Sequence, residues 1–214
     1  MFTIAAAEVV LTGTAFSILV IYHLHLACQV RKDPMATSIG LGNHLRYEWV
    51  EAVMGAKEHI EAIQTLRNWV MASSFLASTA ILIGLGILNT VFRTEKIAEC
   101  AHALNLFGTK SLELWLIKLM ILVVVFFFSF FNFALTIRYY NHASFAINIP
   151  TSDEPAITYE SVAKIINRAN MHYTLGMRGF YFSVPLTLWL FGPTWMLSGS
   201  IVLTVILYKL DRTI

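Results

Sequence analysis

The chain has 214 residues, 57% of them hydrophobic and only 13% charged, with a mean hydropathy of +0.66. A soluble domain carries about 25% charged residues, so the composition excludes an ordinary water-soluble globule and points to the bilayer. The net charge of +2, with no basic run, argues against nucleic acid, and Cys28 and Cys100 stand too far apart for a disulfide framework.

The opening stretch, MFTIAAAEVV, lacks the positive n-region of a cleavable signal peptide, so a retained helix is expected. Four stretches meet the requirement of about 20 mostly apolar residues for a membrane span. The first covers residues 3–28 and places Glu8 inside its outer end and His23 near its inner end. Arg31 and Lys32 follow. Residues 43–67 then carry no proline and a single glycine, which predicts a helical segment outside the membrane. On a helical wheel Trp49, Val53, Ile60 and Ile63 share one face, while Glu48, Glu51, Glu58 and Glu61 gather on the other. Arg46, Gln64 and Arg67 fall within the apolar stripe, so they are expected to point toward protein or the membrane interface. With no breaker, the helix should run on past Asn68 into the second span, residues 68–91.

That second span carries a stripe of small residues, Ser73, Ala77, Ala80 and Gly84. Small residues let helices approach closely in lipid; the stripe suits packing within the chain or a contact between protomers. The following outer loop holds Glu95, Glu99, Cys100 and His102, whose spacing matches no recognised metal-ligand set. The third span, residues 112–137, holds Lys118 close to its outer end and Asn132, which needs a partner in hydrocarbon. Glu8 and Lys118 fall at similar depth and form a candidate intramembrane charge pair. Tyr139 and Tyr140 read as an interfacial anchor.

Residues 157–178 predict a second helical segment outside the membrane, preceded by the capping types Thr151, Ser152 and Asp153 and by Pro155. It should continue into the fourth span, residues 179–208, which Pro185 and Gly192-Pro193 interrupt. Arg31, Lys32, Arg46, Lys57, Arg67, Arg138, Lys164, Arg168 and Arg178 outnumber Arg93, Lys96, Lys110, Lys209 and Arg212 on the opposite side. The positive-inside rule therefore predicts cytoplasmic first and third loops and both termini on the outer, periplasmic side of a cell inner membrane.

The expected fold is all-α: a single membrane domain over residues 1–214, a four-span transmembrane helical bundle with helical extensions on the cytoplasmic side. At its cytoplasmic boundary Arg46, Gln64, Arg67, Asn68, Arg138, Asn141, Arg178 and Tyr181 form a candidate site for an anionic lipid or small anion, since arginine offers a fork suited to phosphate or carboxylate. His23 and His142 are the candidate ligands of a haem b, should one be held. No other cofactor and no metal is expected. HExxH, GxSxG, CxxC and Walker-type motifs are all missing from the sequence, which points away from an enzyme.

The blocks YHLHL (22–26), RKDP (31–34), GNHLRYEWV (42–50), AIQTLRNWVMASSFLASTAI (62–81), RYYNH (138–142) and GMRGFYFSVPLTLWLFGP (176–193) follow one another along nearly the whole chain. Together they resemble the membrane family known as domain of unknown function 599. The resemblance implies a small multi-span bacterial-type membrane protein and carries over no catalytic residue. The functional expectation is an oligomeric channel, transport or anionic-lipid-binding protein. The alternatives are an accessory subunit of a larger respiratory or redox membrane complex, near haem or quinone, and a non-catalytic scaffold.

Overall fold

The computed structural model describes residues 2–56, 59–92, 111–149 and 157–212. They form six helices: α1 (Phe2–Lys32), α2 (Ser38–Ala56), α3 (His59–Val91), α4 (Leu112–Ala146), α5 (Tyr159–Trp189) and α6 (Pro193–Asp211). A 3-10 turn, Pro34–Ala36, links α1 to α2. Four segments are long and apolar enough to cross a membrane: Ala6–Lys32, Ile60–Val91, Leu112–Ala146 and Pro193–Asp211. The helices satisfy their own backbone groups, as hydrocarbon requires.

Neighbouring helices pack in the order α3, α4, α5, α6, α1, and α2 lies on α5. The small-residue stripe of α3 (Ser73, Ala77, Ala80, Gly84) is buried, and Gly84 meets Phe126 and Phe127 of α4; it packs within the chain. On the other side of α4, Gly176 and Gly179 bring α5 close. A Cβ at Gly176 would lie 2.7 Å from the Phe133 ring, and one at Gly179 would lie 2.0 Å from Ser129 Oγ. Met71, Phe75 and Leu82 of α3, and Val124, Phe128 and Phe131 of α4, are exposed. Large apolar side chains thus face outward, toward hydrocarbon, while small ones mediate helix contact.

The expected fourth span differs from the structure. Gly192, at φ 134°, ends the α5 run and starts α6. Such a φ is open to glycine at little cost. The two helices then fold back as an antiparallel hairpin, in which Gly199 lies against Leu188 and Pro185 and Arg178 reaches Asp211. Only α6, not residues 179–208, is the apolar helix here; the second half of α5 runs beside it. In turn α6 runs parallel to α1: Phe16 packs on Trp189 near the hairpin tip, and Leu19 and Tyr22 pack with Leu203 and Leu207 further along. At the far end Ser38 Oγ donates to the carbonyls of Leu210 and Arg212, at 2.8 and 3.3 Å.

The end of α6 lies beside the end of α1, so the start of α1 and the end of α6 are at opposite ends of the bundle. The hairpin at Gly192 sets this arrangement.

Of the helix expected through residues 43–67, α2 carries the described part up to Ala56 and α3 the part from His59 onward; residues 57 and 58 lie outside the described residues. The two helical segments outside the apolar spans do pack together. Val50, Val53 and Met54 of α2, Ala62 and Leu66 of α3, Tyr140 and Ala143 of α4, and Val162 and Ile166 of α5 form one core. Helix α5 starts with a capping box, in which Thr158 Oγ1 accepts from the Ser161 amide and Ser161 Oγ from the Thr158 amide, both at 3.2 Å. Thr151, Ser152, Asp153 and Pro155, like Glu95, Glu99, Cys100 and His102, lie outside the described residues.

Candidate functional site

Two polar centres are built into the bundle, one near each end. At the end where α1 begins, Lys118 Nζ of α4 lies 3.0 Å from Glu8 Oε1 of α1 and donates to the Trp189 carbonyl at 3.3 Å. It also stands 4.9 Å from the Trp189 ring centroid. Glu8 and Lys118 are 5% and 3% exposed. The ammonium therefore meets an opposite charge, a helix-terminal carbonyl and an aromatic face at once. This geometry ties α1, α4 and the α5–α6 tip together.

The second centre lies at the α2 end. Asp211, in the last turn of α6, is buried. Its two carboxylate oxygens accept from Tyr22 OH of α1 and from Arg178 Nη2 of α5. Helical side chains lean toward their own N-terminus, so Arg178 is directed toward the α2 end although its Cα lies within the bundle. His23 sits beside this pair. Its Nδ1 donates to the Leu19 carbonyl at 2.8 Å, which leaves Nε2 as an acceptor, and its ring packs on Phe182 at 4.8 Å. His23 Nε2 and Arg178 Nη1 are both buried without a hydrogen-bond partner.

Arg46 of α2 faces the same region. Its Nε donates to Asn167 Oδ1 at 2.8 Å and its Nη2 to Asn43 Oδ1 at 2.7 Å. Asn167 Nδ2 donates in turn to the Asn43 carbonyl at 3.2 Å, which fixes that amide's orientation. These partners are neutral, and no carboxylate pairs with Arg46 among the described residues. Burial pulls the Arg46 guanidinium below its ordinary range, the direction expected of a cation taken from water.

Between α2, α5 and α6 lies a cavity of about 430 Å³ lined by Arg46, Arg178, Asp211, Tyr173, Tyr181 and Asn170, with Ser38, Thr174 and apolar side chains completing the wall. The two guanidiniums and one carboxylate leave it one positive charge. A neighbouring cavity of about 530 Å³ shares Ile39, Asn170 and Thr174 with it.

Of the expected anion-site residues, the structure gathers Arg46, Arg178 and Tyr181 in this cavity. It does not gather the others. Gln64, Arg67 and Asn68 are exposed on α3. Arg67 thus lies on an exposed face of α3 rather than in the cavity. The wheel placed it correctly with Ile60 and Ile63, but that apolar face is the outer one, since these isoleucines are exposed too. In a bilayer an apolar stripe faces lipid while small residues mark the helix contact. Arg138, Asn141 and His142 line a shallow groove on α4. His142 is exposed there, and His23 packs against Tyr22 of α1 and Phe182 of α5. Asn132 has its partner in His172, Oδ1 to Nδ1 at 3.0 Å.

Asp211, Tyr22, Asn43 and Asn167 were not singled out from the sequence. Asp211 carried one signal: it is the lone acidic residue after Glu160. Its place beside Arg178 depends on the hairpin.

The fold defines a helical integral membrane protein with a basic, partly apolar-walled cavity near one end of its spans. The chain belongs to the family described as "Protein of unknown function, DUF599", whose model matches residues 10–214. No curated protein and no solved structure matches the chain.

Proposed function

We propose that this membrane protein binds an anionic ligand in the cavity between α2, α5 and α6, at the cytoplasmic boundary of the bilayer. The observation that carries this reading is Arg46: a half-buried guanidinium braced by Asn43 and Asn167, with no carboxylate among the described residues to neutralise it. A desolvated cation is costly unless paired, and an incoming anion supplies the pair. Two neutral amides hold the planar fork still, which suits bidentate capture of phosphate or carboxylate. The sidedness follows from the positive-inside rule. The hairpin moves Lys209 and Arg212 to the end that already holds Arg31, Lys32, Arg46, Arg67, Arg138, Lys164, Arg168 and Arg178, so the basic excess there grows.

The test is equilibrium binding of inorganic phosphate and of short-chain phosphatidylglycerol to the full chain purified in an uncharged detergent. Arg46→Ala is expected to abolish binding and Arg46→Lys to weaken it, because lysine offers a point charge instead of a fork. Equal binding by wild type and Arg46→Ala overturns the reading.

A further inference from the structure

We infer that the ligand is an amphiphile with a singly charged phosphate or carboxylate head and one alkyl chain, the chain occupying the second cavity. The inference rests on the anion-binding reading above and adds the class of ligand.

Three observations lead there. The charge balance comes first. Arg46, Arg178 and Asp211 leave one uncompensated positive charge in the 430 Å³ cavity, which matches a monoanion and disfavours a multiply charged one. Hydrogen-bond capacity comes second. Asn170, Thr174 and Tyr181 line the same cavity, and none has a side-chain hydrogen bond to another described residue. Half-buried donors of this kind want acceptors, and a head with several oxygens supplies them around the Arg46 fork.

Continuity comes third. The 530 Å³ cavity begins where the first ends, at the shared residues Ile39, Asn170 and Thr174. It runs along α5 toward the end of α1, with Val30, Ile39, Met171 and Leu175 as its apolar walls and the exposed Arg168 at its edge. Asn43 and Asn167, which hold Arg46, also line it, so the bracket that positions the guanidinium is where the polar chamber passes into the apolar one. A free inorganic anion uses only the first chamber. An amphiphile uses both, and its apolar chain gains from leaving water.

The experiment compares inorganic phosphate with monoalkyl phosphates of increasing chain length, each titrated into the full chain in an uncharged detergent at about pH 5, where the head carries a single charge. Affinity is expected to rise with chain length by at least about tenfold across the series, the equivalent of roughly two fully buried methylenes, and then level off once the second chamber is filled. Val30→Trp and, as an independent variant, Met171→Trp should bring the levelling-off to shorter chains; retained monodispersity and helical content check that each variant is folded. Phosphate and alkyl phosphates binding with equal affinity, all lost in Arg46→Ala, overturns the amphiphile while leaving the anion site intact. A chain-length gain that both tryptophan variants leave unchanged places the chain elsewhere and overturns the inference as well. No binding of any probe overturns both this inference and the reading on which it rests.

Discussion

Lys118 reaches from α4 to Glu8 on α1, 3.0 Å from nitrogen to oxygen, although the main packing partner of α1 is α6. The pair also engages the Trp189 carbonyl at the end of α5, so one ammonium joins the first helix, the central helix and the hairpin tip. Isolated charges are costly at this depth; together they are compensated. Neutralising either one should cost roughly 3–5 kcal/mol, because the remaining charge is left buried alone. The double change Glu8→Gln, Lys118→Met should be milder than either single one. Unfolding of the four proteins in mixed micelles measures the cycle, and costs that simply add would remove the coupling.

Arg178 and Asp211 make the corresponding tie at the other end, and they make a topological claim. If α5 and α6 form a hairpin, single cysteines at Glu48 and Arg212 should label with an impermeant reagent from the same side of the membrane. One at Ser111 should label from the opposite side. The native Cys28 and Cys100 are removed first. Labelling of Arg212→Cys together with Ser111→Cys would remove the hairpin and the cavity it builds.

The approach of α5 to α4 gives a packing test. A methyl group at Gly179 would meet Ser129 Oγ at 2.0 Å and Ser129 Cβ at 3.3 Å. Gly179→Ala should therefore destabilise by about 1–3 kcal/mol, the usual range for overpacking. In a Ser129→Ala background most of that cost should disappear, since the nearest atom is then gone. Thermal denaturation of the single and double variants reads the difference. An unchanged cost in the double variant would mean that the backbone itself, at Val125, sets the limit.

Arg67 and Arg46 should separate cleanly. Arg67 is exposed on the outer face of α3, and Arg67→Ala is expected to change stability by no more than about 0.5 kcal/mol. Arg46→Ala breaks two charge-assisted hydrogen bonds and should cost about 1–3 kcal/mol. A denaturation midpoint measured for each variant decides; a larger loss for Arg67 than for Arg46 would reverse their assigned roles.

Composition and hydrophobic run length alone determined that this chain is a helical membrane protein. They also located three of its apolar helices, because crossing hydrocarbon demands length and apolarity that nothing else in a sequence imitates, although the second and third run further than expected, over Ile60–Val91 and Leu112–Ala146. Matching depth brought Glu8 and Lys118 into consideration as partners, since two charges in lipid are read one at a time from their distance to a span's end. What lay beyond this reach was any feature that depends on which way a helix turns back. Gly192-Pro193 was visible as an interruption, but the sequence does not say whether the chain kinks or reverses there; the positive φ at Gly192 and the packing of Gly199 on Leu188 decided for reversal. That reversal carried Asp211 to Arg178 and Tyr22, and with it created the cavity. The phase of α3 was undecided for a similar reason. An apolar stripe faces protein in water and lipid in a bilayer, so the orientation of Arg67 followed only once the small residues of α3 were seen against α4.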